Sequence, residues 1–306
     1  MRSRFAPDRQ LAVRMGATMF ILGLLYVAVM AILIGGVGLP WPLVLIISGI
    51  GLVAQWFFSD RLALRAMGGR EVTPAEAPQL HAIIDRLCLL ADMPKPRVAV
   101  ADIDLPNAFA TGRSPKRAVI CATTGIMRRL DERELEGVLS HELSHVAHRD
   151  VTVMTVASFV SVVAGLLVRS ISYGGMSRPR GRDNRGSEGN AAALAAVVIV
   201  GSIAVYALSF LAIRALSRYR ELAADRAGAM LTGNPSELAS ALVKISGDMA
   251  RIPTQDLRKA EAYNAFFFLP ALAPGASLSS IFSTHPPLDV RIERLGRLSA
   301  ELGRPG

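Results

Sequence analysis

The sequence predicts a mainly α membrane protein in which transmembrane helices interrupt an α+β domain with a small sheet. Three observations carry this expectation. No Asp, Glu, Lys or Arg occurs at residues 15–59, a run about twice what one helical crossing of a bilayer requires. Short apolar runs at 97–101, 107–111 and 117–122 read as strands, the last two joined across Gly112-Arg113-Ser114-Pro115. His141-Glu142-Leu143-Ser144-His145 places two imidazoles four residues apart, on one helical face, with a glutamate beside the first.

The uncharged run divides into spans at about residues 15–35 and 40–58, because Gly35-Gly36-Val37-Gly38-Leu39-Pro40-Trp41-Pro42 supplies helix breakers and an interfacial tryptophan. Residues 1–60 thus form a membrane hairpin. Its apolar region far exceeds that of a cleavable signal peptide. Arg2, Arg4, Arg9 and Arg14 precede the first span and Arg61, Arg65 and Arg70 follow the second, so positive-inside reasoning sets both ends in the cytoplasm.

Residues 61–150 change to a soluble pattern. Thr73 is expected to cap a helix with Pro74 at its first position and Glu76 at its third, and Leu80, Ile83, Ile84 and Leu87 form its apolar stripe. His81, on that helix without a second ligand, reads as an ordinary surface or satisfied histidine. The three strands follow. Asp131 with Glu134 then makes a capping-box start for the helix that carries His141, and Leu135, Val138, Leu139 and Val146 face its core. That helix is expected to continue into the next apolar segment.

Two more uncharged segments, 151–168 and 191–213, make a second hairpin. Its connection, 169–190, holds Arg169, Arg178, Arg180, Arg182 and Arg185 against Asp183 and Glu188. Positive loops resist export, so either the loop crosses despite its charge or these helices are deeply buried or only partly inserted. The loop's Gly, Ser, Asn and Arg content predicts disorder. Residues 214–306 complete the domain begun at 61.

The chain is 51% hydrophobic with a formal net charge of +9. A soluble enzyme is seldom so apolar. The basic residues flank apolar segments instead of clustering on a polar fold, which favours lipid headgroups over nucleic acid as the acidic partner. Cys88 and Cys121, the two cysteines, are too few and isolated for a disulfide framework or a thiolate metal site.

A catalytic zinc takes three protein ligands and keeps one position open. His141 and His145 supply two, and Glu142 would flank the water that the cation carries. His148 lies one turn beyond His145, whereas metzincins place their third histidine six residues after the second. The better third ligand is Glu221 in Ser217-Arg218-Tyr219-Arg220-Glu221-Leu222-Ala223-Ala224-Asp225, with Asp225 four residues on along the same face. Asp225 suits the carboxylate that orients a ligating imidazole; a solvated charged face has the same spacing. The second hairpin returns Glu221 to the side where His141 sits. Together these features describe a membrane-embedded metalloprotease.

With those motifs in hand, the chain resembles the HtpX group of membrane-bound zinc metallopeptidases, relatives of the prenyl-protein (CAAX) endopeptidases. The resemblance spans nearly the whole chain: the N-terminal hairpin, Asn107-Ala108-Phe109-Ala110, the His141 signature through Arg149-Asp150, the second hairpin, the Ser217 to Asp225 motif, and Ser283-Thr284-His285-Pro286. It implies a gluzincin-type α+β metalloprotease domain with one zinc per chain, held by His141, His145 and Glu221. The implied activity is endoproteolysis of membrane or misfolded proteins at the cytoplasmic face of a bacterial inner membrane, in quality control under stress. His285 resembles a histidine that stabilises the tetrahedral intermediate. Asn107, Ala108, Phe109 and Ala110 resemble an edge strand that aligns substrate by main-chain pairing, although Phe109 equally suits a core. Arg291 resembles the arginine that follows the His-Pro motif, with no partner evident. Two other functions fit the same residues, a zinc-stabilised membrane scaffold without turnover and a prenyl-protein processing enzyme. Glu142 counts against the first, and four apolar segments count against the large intramembrane chamber of the second.

Overall fold

A computed structural model describes residues 9–36, 40–150, 153, 188–249 and 285–303. The chain forms two compact units.

One unit comprises Ala12–Phe57 and Val153–Leu216. Helix α1, Arg9–Ala31, ends in a π-helical turn at Ile32–Gly36, and α2 runs Trp41–Ala66. Both helices extend past the uncharged run, since nothing in Arg9, Arg14, Asp60 or Arg61 breaks a helix and long basic side chains reach out of the apolar layer. Among the described residues, Arg9–Gly35, Trp41–Phe58 and Val198–Thr232 are long and apolar enough to cross a membrane. Leu22, Val29, Leu33, Val44 and Val205 pack together inside this unit, while Phe20, Ile47 and Ile50 are 68%, 61% and 65% exposed. Such outward apolar faces belong in lipid. The expected span at 151–168 and most of the basic loop lie outside the described residues. The loop is shorter than expected at its far end, because the following helix already begins at Glu188.

The second unit comprises Met1–Leu11, Phe58–Thr152 and Ser217–Gly306. Its sheet has four strands in the order β1-β2-β4-β3. These are β1 Gly69–Glu71, β2 Arg97–Ala101, β3 Ala108–Thr111 and β4 Val119–Thr123. β1 pairs antiparallel with β2, β2 parallel with β4, and β4 antiparallel with β3, so β3 lies at an edge. Gly112 turns the chain out of β3 with φ +125°, and a Cβ there would meet the Arg117 carbonyl at 2.6 Å, so glycine is required.

Helix α3, Pro78–Ala91, buries Leu80, Ile83, Ile84, Leu87 and Ala91 on one stripe. It starts later than expected. Thr73 does bond Glu76, through both its amide and its hydroxyl, but this closes an isolated turn. Pro78 has no N–H to donate to the Pro74 carbonyl, and a proline is instead favoured in the first turn of a new helix. His81 is buried rather than on the surface, with Nε2 3.0 Å from the Val72 carbonyl. Cys88 and Cys121 are buried free thiols; burial pushes Cys121 up to about 12.

Helix α4, Thr124–Arg129, precedes α5, Glu132–Ala147. The predicted capping box is present: Asp131 accepts from the Arg133 and Glu134 amides, and Glu134 accepts from the Asp131 amide. Helices α6, Glu188–Thr232, α7, Pro235–Met249, and α8, Leu288–Leu302, follow. Leu135, Val138 and Leu139 of α5, Leu238 and Leu242 of α7, Leu295 of α8 and Ile120 of β4 share one core with the α3 stripe. Fully burying a leucine or isoleucine contributes about 1.5–3 kcal/mol, so this cluster fixes α5 from several sides.

Contrary to expectation, α5 does not run on into the next apolar segment. It ends at Ala147, with His148 as cap, and Arg149 adopts the left-handed conformation at φ +58°. That conformation reverses the helical path.

Candidate metal centre

α5 presents His141, Glu142 and His145 from consecutive turns, all of them buried. α6 lies across it through Gly228, where a Cβ would stand 2.8 Å from the His141 amide nitrogen and 2.9 Å from Ser140 Oγ. The absence of a side chain there lets the two helices approach closely. Seven residues before Gly228 on α6 is Glu221.

The three predicted ligands converge. His141 Nε2 and His145 Nε2 are 3.2 Å apart, and the Glu221 carboxylate spans them, Oε2 lying 3.6 Å from the first and Oε1 3.5 Å from the second. Donors at about 2.0–2.1 Å from a tetrahedral zinc are separated by roughly 3.3–3.4 Å, so these separations match the face of such a site. The charges agree too. Around the three converging side chains, Glu142, Asp150, Glu221 and Asp225 are buried carboxylates, and Arg220 and Arg291 are buried guanidiniums; with neutral imidazoles this cluster carries −2, which a divalent cation would cancel. A buried charge imbalance is otherwise costly. Among the described residues, His141, His145 and Glu221 form the group that could hold a metal ion, and His148 is not part of it.

Burial opposes the charged His141 imidazolium, but hydrogen bonding to Asp225 and Glu221 outweighs it and holds this imidazole up at about 9. Burial likewise raises Glu142 above the usual carboxylate range, with the two imidazoles opposing. Glu142 Oε2 accepts a 2.9 Å hydrogen bond from the Ala110 amide.

Asp225 sits behind His141, its Oδ1 2.9 Å from Nδ1, where the sequence reading placed it. Arg291, fully buried, donates to both Asp225 oxygens at 2.7 and 2.6 Å, which supplies the partner that the sequence withheld. His285 Nδ1 is 3.1 Å from Glu221 Oε2. Asp150 and Arg220 stand in the motifs quoted from the sequence but received no role there: Asp150 Oδ2 lies 2.8 Å from His145 Nδ1 and 3.0 Å from Arg220 Nε. No periodicity points to Asp150, which reaches His145 through the turn at Arg149.

The edge strand is divided in its exposure of main-chain groups. Asn107 directs its amide to Thr123 Oγ1 and its carbonyl to the Thr123 amide. Antiparallel alternation then turns the main-chain groups of Phe109 toward β4 and those of Ala108 and Ala110 away from it, where the Ala110 amide meets Glu142. Phe109 is core, 4% exposed.

The model of Peptidase family M48 matches residues 74–299. The chain is 58% identical over 303 residues to "Protease HtpX homolog 1" of Streptomyces coelicolor, covering 99% of this chain and 97% of that relative. It is 51% identical over 302 residues to a "Protease HtpX homolog" of Moorella thermoacetica, with 99% of each covered. A third relative, "Protease HtpX homolog 2" of Methanosarcina acetivorans, is 48% identical over 303 residues, 99% of this chain and 100% of the relative. The crystal structure of S. mikatae Ste24p is similar in fold, with a TM-score of 0.51 at 14% identity, over 94% of this chain and 66% of that one. A motif-bearing domain, apolar helices and relatives matched along their whole lengths lead to one assignment: this chain belongs to peptidase family M48 and is a membrane-bound metalloprotease of the HtpX type.

Proposed function

We propose that the chain is a zinc-dependent endoprotease that cleaves unfolded or damaged membrane proteins, with one zinc per chain held by His141, His145 and Glu221. The observation that carries this reading is the buried convergence of the two Nε2 atoms, 3.2 Å apart, with the two Glu221 oxygens 3.5 and 3.6 Å from them, and with Glu142 beside it, its own oxygen tied to the edge strand. When bound, zinc supplies Lewis acidity, polarising a peptide carbonyl and acidifying the attacking water.

The chain's own residues do the rest. Glu142, raised by burial, takes the proton of the attacking water and returns it to the departing amine. Its hydrogen bond to the Ala110 amide holds the carboxylate between the edge strand and the ligands. Asp225, anchored by Arg291, fixes the His141 ring so that Nε2 faces the site. His285, beside Glu221, is a donor for developing oxyanion charge. The main-chain groups of Ala108 and the carbonyl of Ala110, whose amide is held by Glu142, pair with an extended substrate, Asn107 and Phe109 shape that edge, and such pairing tolerates varied side chains. Substrate choice then rests on access, which favours unfolded loops and juxtamembrane segments. The arginines flanking α1 and α2 support a cytoplasmic-face site in a bacterial inner membrane, the setting for membrane protein quality control.

Glu142→Gln is the direct test. It is expected to lower cleavage of an unfolded membrane substrate by about 10²–10⁴-fold, with zinc still bound. Undiminished cleavage by that variant refutes the assignment of the base.

A further inference from the structure

We infer that Asp150, paired with Arg220, is a second positioning residue of the metal centre, holding His145 as Asp225 and Arg291 hold His141. This rests on the proposal that His145 is a ligand.

A carboxylate and then a guanidinium stand behind each histidine, although the hydrogen bond falls between His145 and Asp150 in one relay and between Arg291 and Asp225 in the other. Behind His141, Nδ1 meets Asp225 at 2.9 Å and Asp225 meets Arg291 at 2.6 Å. Behind His145, Nδ1 meets Asp150 at 2.8 Å and Asp150 meets Arg220 at 3.0 Å. Each imidazole thus offers its carboxylate Nδ1, and its Nε2 points to the other ring's Nε2. The ring planes stand 87° apart, an orientation that needs both rings fixed from behind. Asp150 is 1% exposed and Arg220 8%, so neither is a surface ion pair.

The backbone is shaped for this contact. Five residues along a continuous helix turn through about 500°, so residue 150 would face roughly 140° away from His145. The left-handed Arg149 (φ +58°) ends α5 and folds Asp150 back beneath the ring. A non-glycine residue in that region costs about 1–2 kcal/mol, and such strain persists where the surroundings enforce it. Arg220, for its part, immediately precedes Glu221. The Asp150–Arg220 pair therefore couples the orientation of His145 to the turn of α6 that carries the third ligand. A carboxylate at Nδ1 fixes the tautomer with its lone pair on Nε2 and raises the basicity of that nitrogen.

The test uses the full-length chain in detergent, stripped of metal and titrated with Zn²⁺ or Co²⁺ against a competing chelator. Asp150→Ala leaves a buried, unpaired Arg220 and risks misfolding. Asp150→Asn/Arg220→Gln removes both charges together and leaves two polar side chains that can still hydrogen-bond. Folded by circular dichroism, the double variant is expected to bind either metal about 10–100-fold more weakly. Its visible spectrum at saturating Co²⁺ is expected to differ from wild type, a change that a purely structural role would not produce. Glu221→Ala is the control. If Glu221→Ala also keeps wild-type affinity, the ligand assignment itself fails. If Glu221→Ala loses the metal while the double variant keeps wild-type affinity and spectrum, the role of Asp150 is overturned.

Discussion

Gly228→Ala is predicted to destabilise the protein and weaken its metal site, although alanine is the better helix former. On propensity alone the change gains about 1 kcal/mol. The added Cβ, however, stands 2.8 Å from the His141 nitrogen, 2.9 Å from Ser140 Oγ and 3.0 Å from His141 Cα. Favourable contacts begin at about 3.5 Å, so α5 and α6 must part by roughly 0.7 Å. Two of the three obstructing atoms are backbone and cannot rotate aside. Overpacking of this kind costs about 1–3 kcal/mol, so the net effect is a loss on the order of 1 kcal/mol. The same displacement acts on the edges that join Glu221 to His141 and His145, and metal sites tolerate only about 0.2 Å; an affinity loss of tenfold or more follows. Gly296→Ala on α8, where no atom of the described residues lies within 4 Å of the new Cβ, keeps the propensity gain and serves as the contrast. Thermal unfolding in detergent and chelator competition measure both quantities. A Gly228→Ala protein as stable as Gly296→Ala, with wild-type metal affinity, would refute the reasoning.

Two further outcomes follow from the same buried charges. Arg291→Met strands Asp225 without its two hydrogen bonds and should cost about 3–5 kcal/mol, read as a fall in denaturant midpoint; a change under about 1 kcal/mol would mean that Asp225 is satisfied by other groups. Stability of the metal-free protein should also depend on pH. His141 is held up at about 9, against 6.5 for an ordinary histidine, so the stabilisation is complete below pH 6.5 and is lost as pH rises to 9. Saturating metal should abolish that decline, because a ligating imidazole is neutral. A flat metal-free profile over this window would contradict the electrostatic picture.

Much of this was legible in the sequence because it is local. The His141 signature, the Asp131 capping box and the Glu221/Asp225 pair each depend on neighbours three or four residues away, and helix geometry turns such spacing into position. The strands at 97–101 and 107–111 were marked by composition and turn residues, as was the antiparallel β3–β4 pairing. What escaped depends on the path of the backbone or on distant partners. β1 has three residues, too short for a period. The α3 start moved because two prolines four apart cannot both lie within one helix. Arg291 meets Asp225 across 66 residues, and no single-sequence pattern encodes that pairing. Asp150 was hidden by Arg149, whose left-handed turn lacks the glycine that usually announces one.

The measurement that bears most directly on the metal centre is zinc content of the purified chain, wild type against Glu221→Ala. One zinc per wild-type chain and none in the folded variant is the predicted result. A variant that keeps its full zinc would contradict the three-residue site, and with it the proposed chemistry.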